Sequence, residues 1–245
     1  MLQDEFEIRV KEIEKYFLFL QNVEGDYRII TDFSKTNDYL IDDDLSKILK
    51  ANGFLLLYNL IESTMFNSIV EIFNELKIQR VGYSSLSVEL RKFWLKTKYK
   101  NQKGETHINN SQKFYFYIEE VINNLPIELI VERIDYGGSL DADKIRKLSI
   151  ELGIDFCDSN YKEYPNGKVF KEIRDKRNAL AHGKLSFSYI GKDLTFSGTT
   201  KTVNDDDKII KLGLVHFKDF TVQHLRVFIE SVEEYIRNEK YRIVV

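Results

Sequence analysis

In residues 1–24, apolar positions Phe6, Val10, Ile13, Phe17 and Leu20 recur every three or four residues among charges. That spacing predicts an amphipathic helix. Residues 25–43 lose the period and run into Asp42, Asp43 and Asp44, carboxylates suited to capping the helix that follows. The second helix is predicted from about Leu45 to Lys77. Its stretch FLLLYNLIESTMFNSIVEIF is apolar around most of the circumference, which makes it the central and most buried helix. Asn52 and Gly53 leave open a break near its beginning. Glu62 lies inside the apolar stretch and needs a partner, because a lone buried carboxylate is costly.

Beyond Lys77 the pattern predicts a short basic helix within 87–113, followed by a polar loop around Asn101–Gly104. Further helices are predicted over Ile108–Leu125 and Asp141–Leu152, separated by Pro126 and Gly137–Gly138. Tyr164–Pro165–Asn166–Gly167 is turn chemistry, and the next helix, Lys168–His182, stops at Gly183. Leu185, Phe187 and Tyr189 then alternate, Gly191–Lys192 can turn the chain, and Leu194 and Phe196 follow. That reads as a β-hairpin. Residues 197–208 read as a polar loop. A last helix over about 222–237 aligns Val222, Leu225, Ile229, Val232 and Ile236 on one face. No repeat or linker divides the chain. The expectation is a single all-α domain over 1–245, a helical bundle with a small β-hairpin insertion near 185–197.

Composition narrows the setting. A single cysteine, Cys157, allows neither an internal disulfide nor a cysteine zinc cluster. His107, His216 and His224 are widely spread, no His-Glu-x-x-His motif is present, and no glycine-rich phosphate loop occurs, so neither metal nor cofactor is expected. No apolar run approaches the roughly 18 to 20 residues of a membrane span. The charged N-terminus does not resemble a signal peptide. An intracellular, cytoplasmic protein is the expectation. Net charge is −3, which argues against coating nucleic acid by bulk electrostatics. Locally the picture differs: Arg91–Lys113 holds seven basic residues and one acid, Glu105. Lys96, Lys98 and Lys100 in that segment are candidate RNA contacts, interleaved with Trp94 and Tyr99 that could stack on bases. A solvated helix face would carry the same charges.

The most informative stretch is Arg174-Asp-Lys-Arg177-Asn178-Ala-Leu-Ala-His182-Gly183. At about 100° per residue, Val169, Ile173 and Leu180 share a core-facing side. Arg174, Asn178 and His182 stack on the opposite side, with Arg177 at the border. Ala179 and Ala181 admit another surface closely, so the stripe suits a site or a dimer seam. A histidine serves as acid or base near neutral pH, and an arginine matches phosphoryl oxygens with a planar fork of donors.

Arginine, a polar residue, three further residues and a histidine near a helix end resemble the signature of the HEPN superfamily, and the wider pattern is similar to MAE-type HEPN nucleases. The strict motif covers 177–182, and a looser resemblance spans roughly 45–237. The resemblance implies a homodimer in which two motifs form one composite site. It also implies metal-independent cleavage of RNA through attack by the RNA's own 2′-hydroxyl. His182 would be the acid/base residue, Arg177 the phosphate-stabilising one and Asn178 an orienting hydrogen-bonder, with Arg174 contacting RNA. The setting implied is a toxin or antiphage defence effector, with an antitoxin or defence-system protein as possible partner. In HEPN toxins controlled by a nucleotidyltransferase, a tyrosine two positions after the histidine accepts AMP. Lys184 stands there, which speaks against that control. The alternative is a non-catalytic HEPN module that dimerises or binds RNA or protein, and a plain helical scaffold is a third.

Overall fold

The computed structural model describes residues 2–24, 29–31, 38–100, 107–129, 140–156, 168–198, 200–204 and 207–243. The turn expected at Tyr164–Gly167, the loop at Asn101–Gly104, Gly137–Gly138 and Cys157 lie outside them. Eight α-helices appear among the described residues: α1 (Leu2–Glu24), α2 (Asp43–Ile78), α3 (Val88–Lys100), α4 (His107–Ile122), α5 (Ala142–Leu152), α6 (Lys168–Ala181), α7 (Phe187–Gly191) and α8 (Leu214–Arg237). Two short antiparallel pairs accompany them, β1 (Ile29–Thr31) with β2 (Asp38–Leu40) and β3 (Thr200–Asn204) with β4 (Asp207–Lys211). The protein is an all-α bundle with small hairpins.

The described residues fall into two compact units, one drawn from 3–62 and 165–225, the other from 63–164 and 226–245. In the first unit, Phe6, Val10, Ile13, Phe17 and Leu20 of α1 are all buried, as their spacing predicts. Asp42 caps α2, accepting from the Leu45 amide at 2.8 Å. No break occurs at Gly53: α2 runs straight through it. A side chain there would meet Leu214, with an added Cβ 3.1 Å from its nearest methyl, so the glycine serves close packing rather than a bend. Phe54 meets Phe217 edge-on at 5.3 Å, and Phe170 packs on Phe220 and His224 at 5.9 and 4.8 Å. Glu24 accepts from the Phe196 amide at 3.1 Å and pairs with Lys50 at 2.6 Å.

The hairpin expected near 185–197 is not formed there. Ser186 instead caps α7, its hydroxyl accepting from the Tyr189 amide at 3.1 Å, and Ile190 and Gly191 are the buried residues of that turn. The strand pair lies downstream, beginning in the stretch that reads as a polar loop and running past its end at 208, with Thr200 opposite Lys211 and Asn204 opposite Asp207. Leu185, Phe187 and Tyr189 alternate over too few residues for a period of two to outweigh a capping serine.

In the second unit, Trp94 of α3 is fully buried and its indole N–H donates to the Glu128 carbonyl at 3.2 Å. Asp141 caps α5 and Gly153 ends it in the left-handed conformation, φ 77°. The Tyr235 hydroxyl donates to the Leu152 carbonyl at 2.8 Å, which satisfies a fully buried phenol. Among the described residues, no helix is long and apolar enough to cross a membrane.

Candidate functional site

Helix α6 is amphipathic in the way its sequence requires: Val169, Phe170, Ile173 and Leu180 are buried. It ends in a Schellman turn. The Gly183 amide donates to the Leu180 carbonyl at 3.1 Å and the Lys184 amide to the Ala179 carbonyl at 2.9 Å. Gly183 adopts φ 62°, a conformation that glycine enters without a Cβ penalty. His182 sits at the C-cap, its amide still bonded to the Asn178 carbonyl at 3.0 Å. Its side chain is exposed. The backbone of the histidine is therefore held on both sides while the imidazole faces solvent.

Arg177 occupies the border between core and solvent, with 30% of its side chain exposed. Its guanidinium lies over the Tyr58 ring at 4.5 Å from the centroid. It donates to the Asn178 side-chain oxygen at 3.0 Å and stands 3.9 Å from the Glu62 carboxylate. Tyr58 and Glu62 are four residues apart on α2, hence on one face of that helix. Glu62 thus has the partner its position demands, although it is not deeply buried: 41% of its side chain is exposed. The arrangement braces the arginine from below and from one side and leaves part of its donor fork accessible. A planar guanidinium held on a ring in this way is a restrained cation with donors still open to solvent.

Tyr58 and Glu62 are the site residues that sequence reasoning missed as partners of the motif. The available signal was a polar side chain in an otherwise apolar run, with a tyrosine one turn before it. Arg174 has only 20% of its side chain exposed and donates twice to one Asp175 carboxylate oxygen, at 2.7 and 3.0 Å.

The basic segment does not look like an open phosphate track. Lys98, expected at the surface, has only 10% of its side chain exposed. Its ammonium lies 5.0 Å from the Trp94 ring and 4.8 Å from the Tyr117 ring, and it pairs with Glu120 at 3.1 Å. Its role is to close an aromatic layer, its stem covering apolar surface. Lys96 is 56% exposed and paired with Glu151 at 2.7 Å. Lys100 closes α3, and its side chain lies outside what the structure describes. Arg91 donates to the Tyr83 and Ser84 carbonyls. Among the described residues, no three His, Cys, Asp or Glu side chains gather as a metal site.

A family model described as HEPN_MAE_28990-like HEPN matches residues 1–241. The chain belongs to this HEPN family. The match takes in nearly the whole sequence, so α1, the basic segment and α8 are parts of the HEPN chain rather than additions to it. Membership supports a nuclease-like or RNA-related module. No curated protein and no solved structure matches the chain.

Proposed function

We propose that this HEPN chain is a metal-independent endoribonuclease, acting as a homodimer in a toxin or antiphage defence setting. The observation that carries the reading is the terminal turn of α6. It offers an exposed histidine on a fixed backbone and, one turn earlier, an arginine braced on Tyr58. Arg177 and His182 are separated by about 7.5 Å along the helix and about 140° around it, so one chain offers them as two separated groups. Cleavage requires two proton transfers, one from the attacking 2′-hydroxyl and one to the departing 5′-oxygen. A second motif brought by a second copy would supply the second histidine, and the alanines at 179 and 181 leave room for it.

In this reading one His182 takes the 2′-hydroxyl proton as that oxygen attacks phosphorus. The other His182 protonates the 5′-oxygen as its bond to phosphorus breaks. Arg177 donates to the non-bridging oxygens as charge builds on them, and Asn178 keeps the guanidinium in register through the 3.0 Å bond. The products are a 2′,3′-cyclic phosphate and a 5′-hydroxyl. RNA contacts beyond the motif run through Arg174, with exposed Lys96, together with Lys100, as a separate electrostatic surface.

The test is purified protein with total RNA in EDTA, beside the His182→Ala and Arg177→Ala variants. Cutting should persist without metal and leave cyclic phosphate ends, since no metal is needed to generate a nucleophile. Each variant should lose about two orders of magnitude or more in rate while keeping wild-type melting. Products ending in 3′-hydroxyl, or full activity in His182→Ala, would refute the mechanism. RNA binding without any cleavage would assign the chain to the non-catalytic class.

A further inference from the structure

A cavity of about 390 Å³ opens beside α6, between its outer flank and the α7 turn. It lies one step around the helix from the Arg174–Asn178–His182 stripe, and Leu185, three residues beyond His182, forms part of its wall. Its chemistry is divided. Ala179, Leu185 and Ile190 supply an apolar side, and Lys168, Lys171 and Lys176 supply cations. Glu172 adds a carboxylate to the lining. Asp175 also lines the cavity but is engaged by Arg174. Glu172 keeps a longer, 3.9 Å approach from Lys176 and has 48% of its side chain exposed. Partial burial raises the Glu172 carboxyl above its ordinary value, Lys176 lowers it, and Asp175 raises it further.

We infer that this cavity is a subsite for a guanosine nucleotide, the residue next to the scissile phosphate of the RNA. Its volume lies near the lower end of small-molecule sites, roughly 300 Å³ upward, which suits one nucleotide and little more. An apolar wall together with lysines in one cavity matches a base carrying a phosphate. The base is selected by Glu172. Guanine alone presents two adjacent donors, N1–H and the 2-amino group, that match both oxygens of one carboxylate. Adenine and cytosine offer one donor beside an acceptor, and uracil offers one donor between two acceptors. A carboxylate accepting from a paired edge is a strong discriminator, because the wrong base leaves its charge unmatched.

Placement beside the scissile bond rests on the ribonuclease reading above; occupancy by guanosine does not. The full-length protein is titrated with 5′-GMP, 5′-AMP, 5′-CMP and 5′-UMP by calorimetry or NMR, and its RNA cleavage sites are mapped separately. The expected result is saturable GMP binding at least about tenfold tighter than the other three, as one charged hydrogen-bond pair provides. Glu172→Gln keeps the volume but replaces an acceptor by a donor, and it should remove the preference while retaining weak nucleotide binding. Lys168→Ala with Lys171→Ala should weaken all four ligands alike. Absence of saturable GMP binding, or an unchanged preference in Glu172→Gln, overturns the site. Cleavage without enrichment of guanosine at the cut overturns its placement. Selective GMP binding in a protein that cuts no RNA upholds the site and refutes the ribonuclease reading.

Discussion

Removing the negative charge of Glu62 should separate binding from turnover. If Arg177 receives phosphate as proposed, the Glu62 carboxylate competes for its guanidinium in the free protein. At 3.9 Å, two unit charges attract by about 1 kcal/mol in a water-like dielectric. With 30% and 41% of the two side chains exposed, that limit applies, and measured pairs of this kind contribute about 0.2–1 kcal/mol. Glu62→Gln keeps the shape and abolishes the competition. Affinity for a non-cleavable 2′-O-methyl RNA should rise by up to about fivefold, the equivalent of 1 kcal/mol. kcat should fall on cleavable RNA, because the guanidinium keeps Tyr58 and Asn178 but loses one of its lateral restraints. The melting temperature should move by no more than about 4 °C, given the size of the chain and the weak pair. The measurements are fluorescence anisotropy, steady-state cleavage of a short labelled RNA and a thermal melt. In an Arg177→Ala background the Glu62 substitution should have no further effect on affinity, since the two residues act through one contact. Weaker RNA binding in Glu62→Gln, or the same gain in the Arg177→Ala background, would refute the idea that Glu62 competes for the arginine.

Other perturbations probe the frame around the site. Gly191→Ala places a Cβ 2.0 Å from the Lys47 carbonyl oxygen, so α7 must shift; a urea titration should show a loss of about 3 kcal/mol. Lys98→Ala removes an ammonium held by two rings and Glu120 and should cost about 1–3 kcal/mol in the same assay. Lys96→Ala, at an exposed pair, should stay within about 0.5 kcal/mol. Burial pushes the Tyr16 phenol up to about 12, against a lowering bond from the Asn52 side chain, while its hydroxyl donates to the Leu49 carbonyl at 2.7 Å. Stability from that neutral phenol is complete below pH 10 and lost as pH rises toward 12. Tyr16→Phe should therefore flatten the fall in melting temperature over that range. A residual slope should remain, because burial also raises Tyr235 and Tyr241.

Much of the helical frame is written in single residues. The α1 stripe, the aspartate cap of α2, the Asp141 cap of α5 and the Gly183 stop each act within a few positions of themselves, so periodicity and capping rules reach them. The side of α6 that carries Asn178 and His182 is legible for the same reason. What escaped depends on distant partners. Gly53 reads as a breaker until Leu214 is seen against it. Lys98 reads as a surface charge until Trp94 and Tyr117 enclose it. Glu62 announces a need without naming Arg177, which lies far along the chain. The misplaced hairpin has another cause. Three alternating apolar residues carry little information, and strand preference depends on context more than helix preference does.

The Schellman turn after α6 has a kinetic consequence. Backbone bonds pin the main chain on both sides of Cα182, whereas the imidazole projects from that anchor into water. Exposed side chains change rotamer in picoseconds to nanoseconds, and a median enzyme turns over about ten times per second. Within an interval of that length the ring can therefore sample its rotamers many millions of times. A fixed Cα carrying a freely turning ring lets His182 adopt whichever rotamer an approaching surface selects.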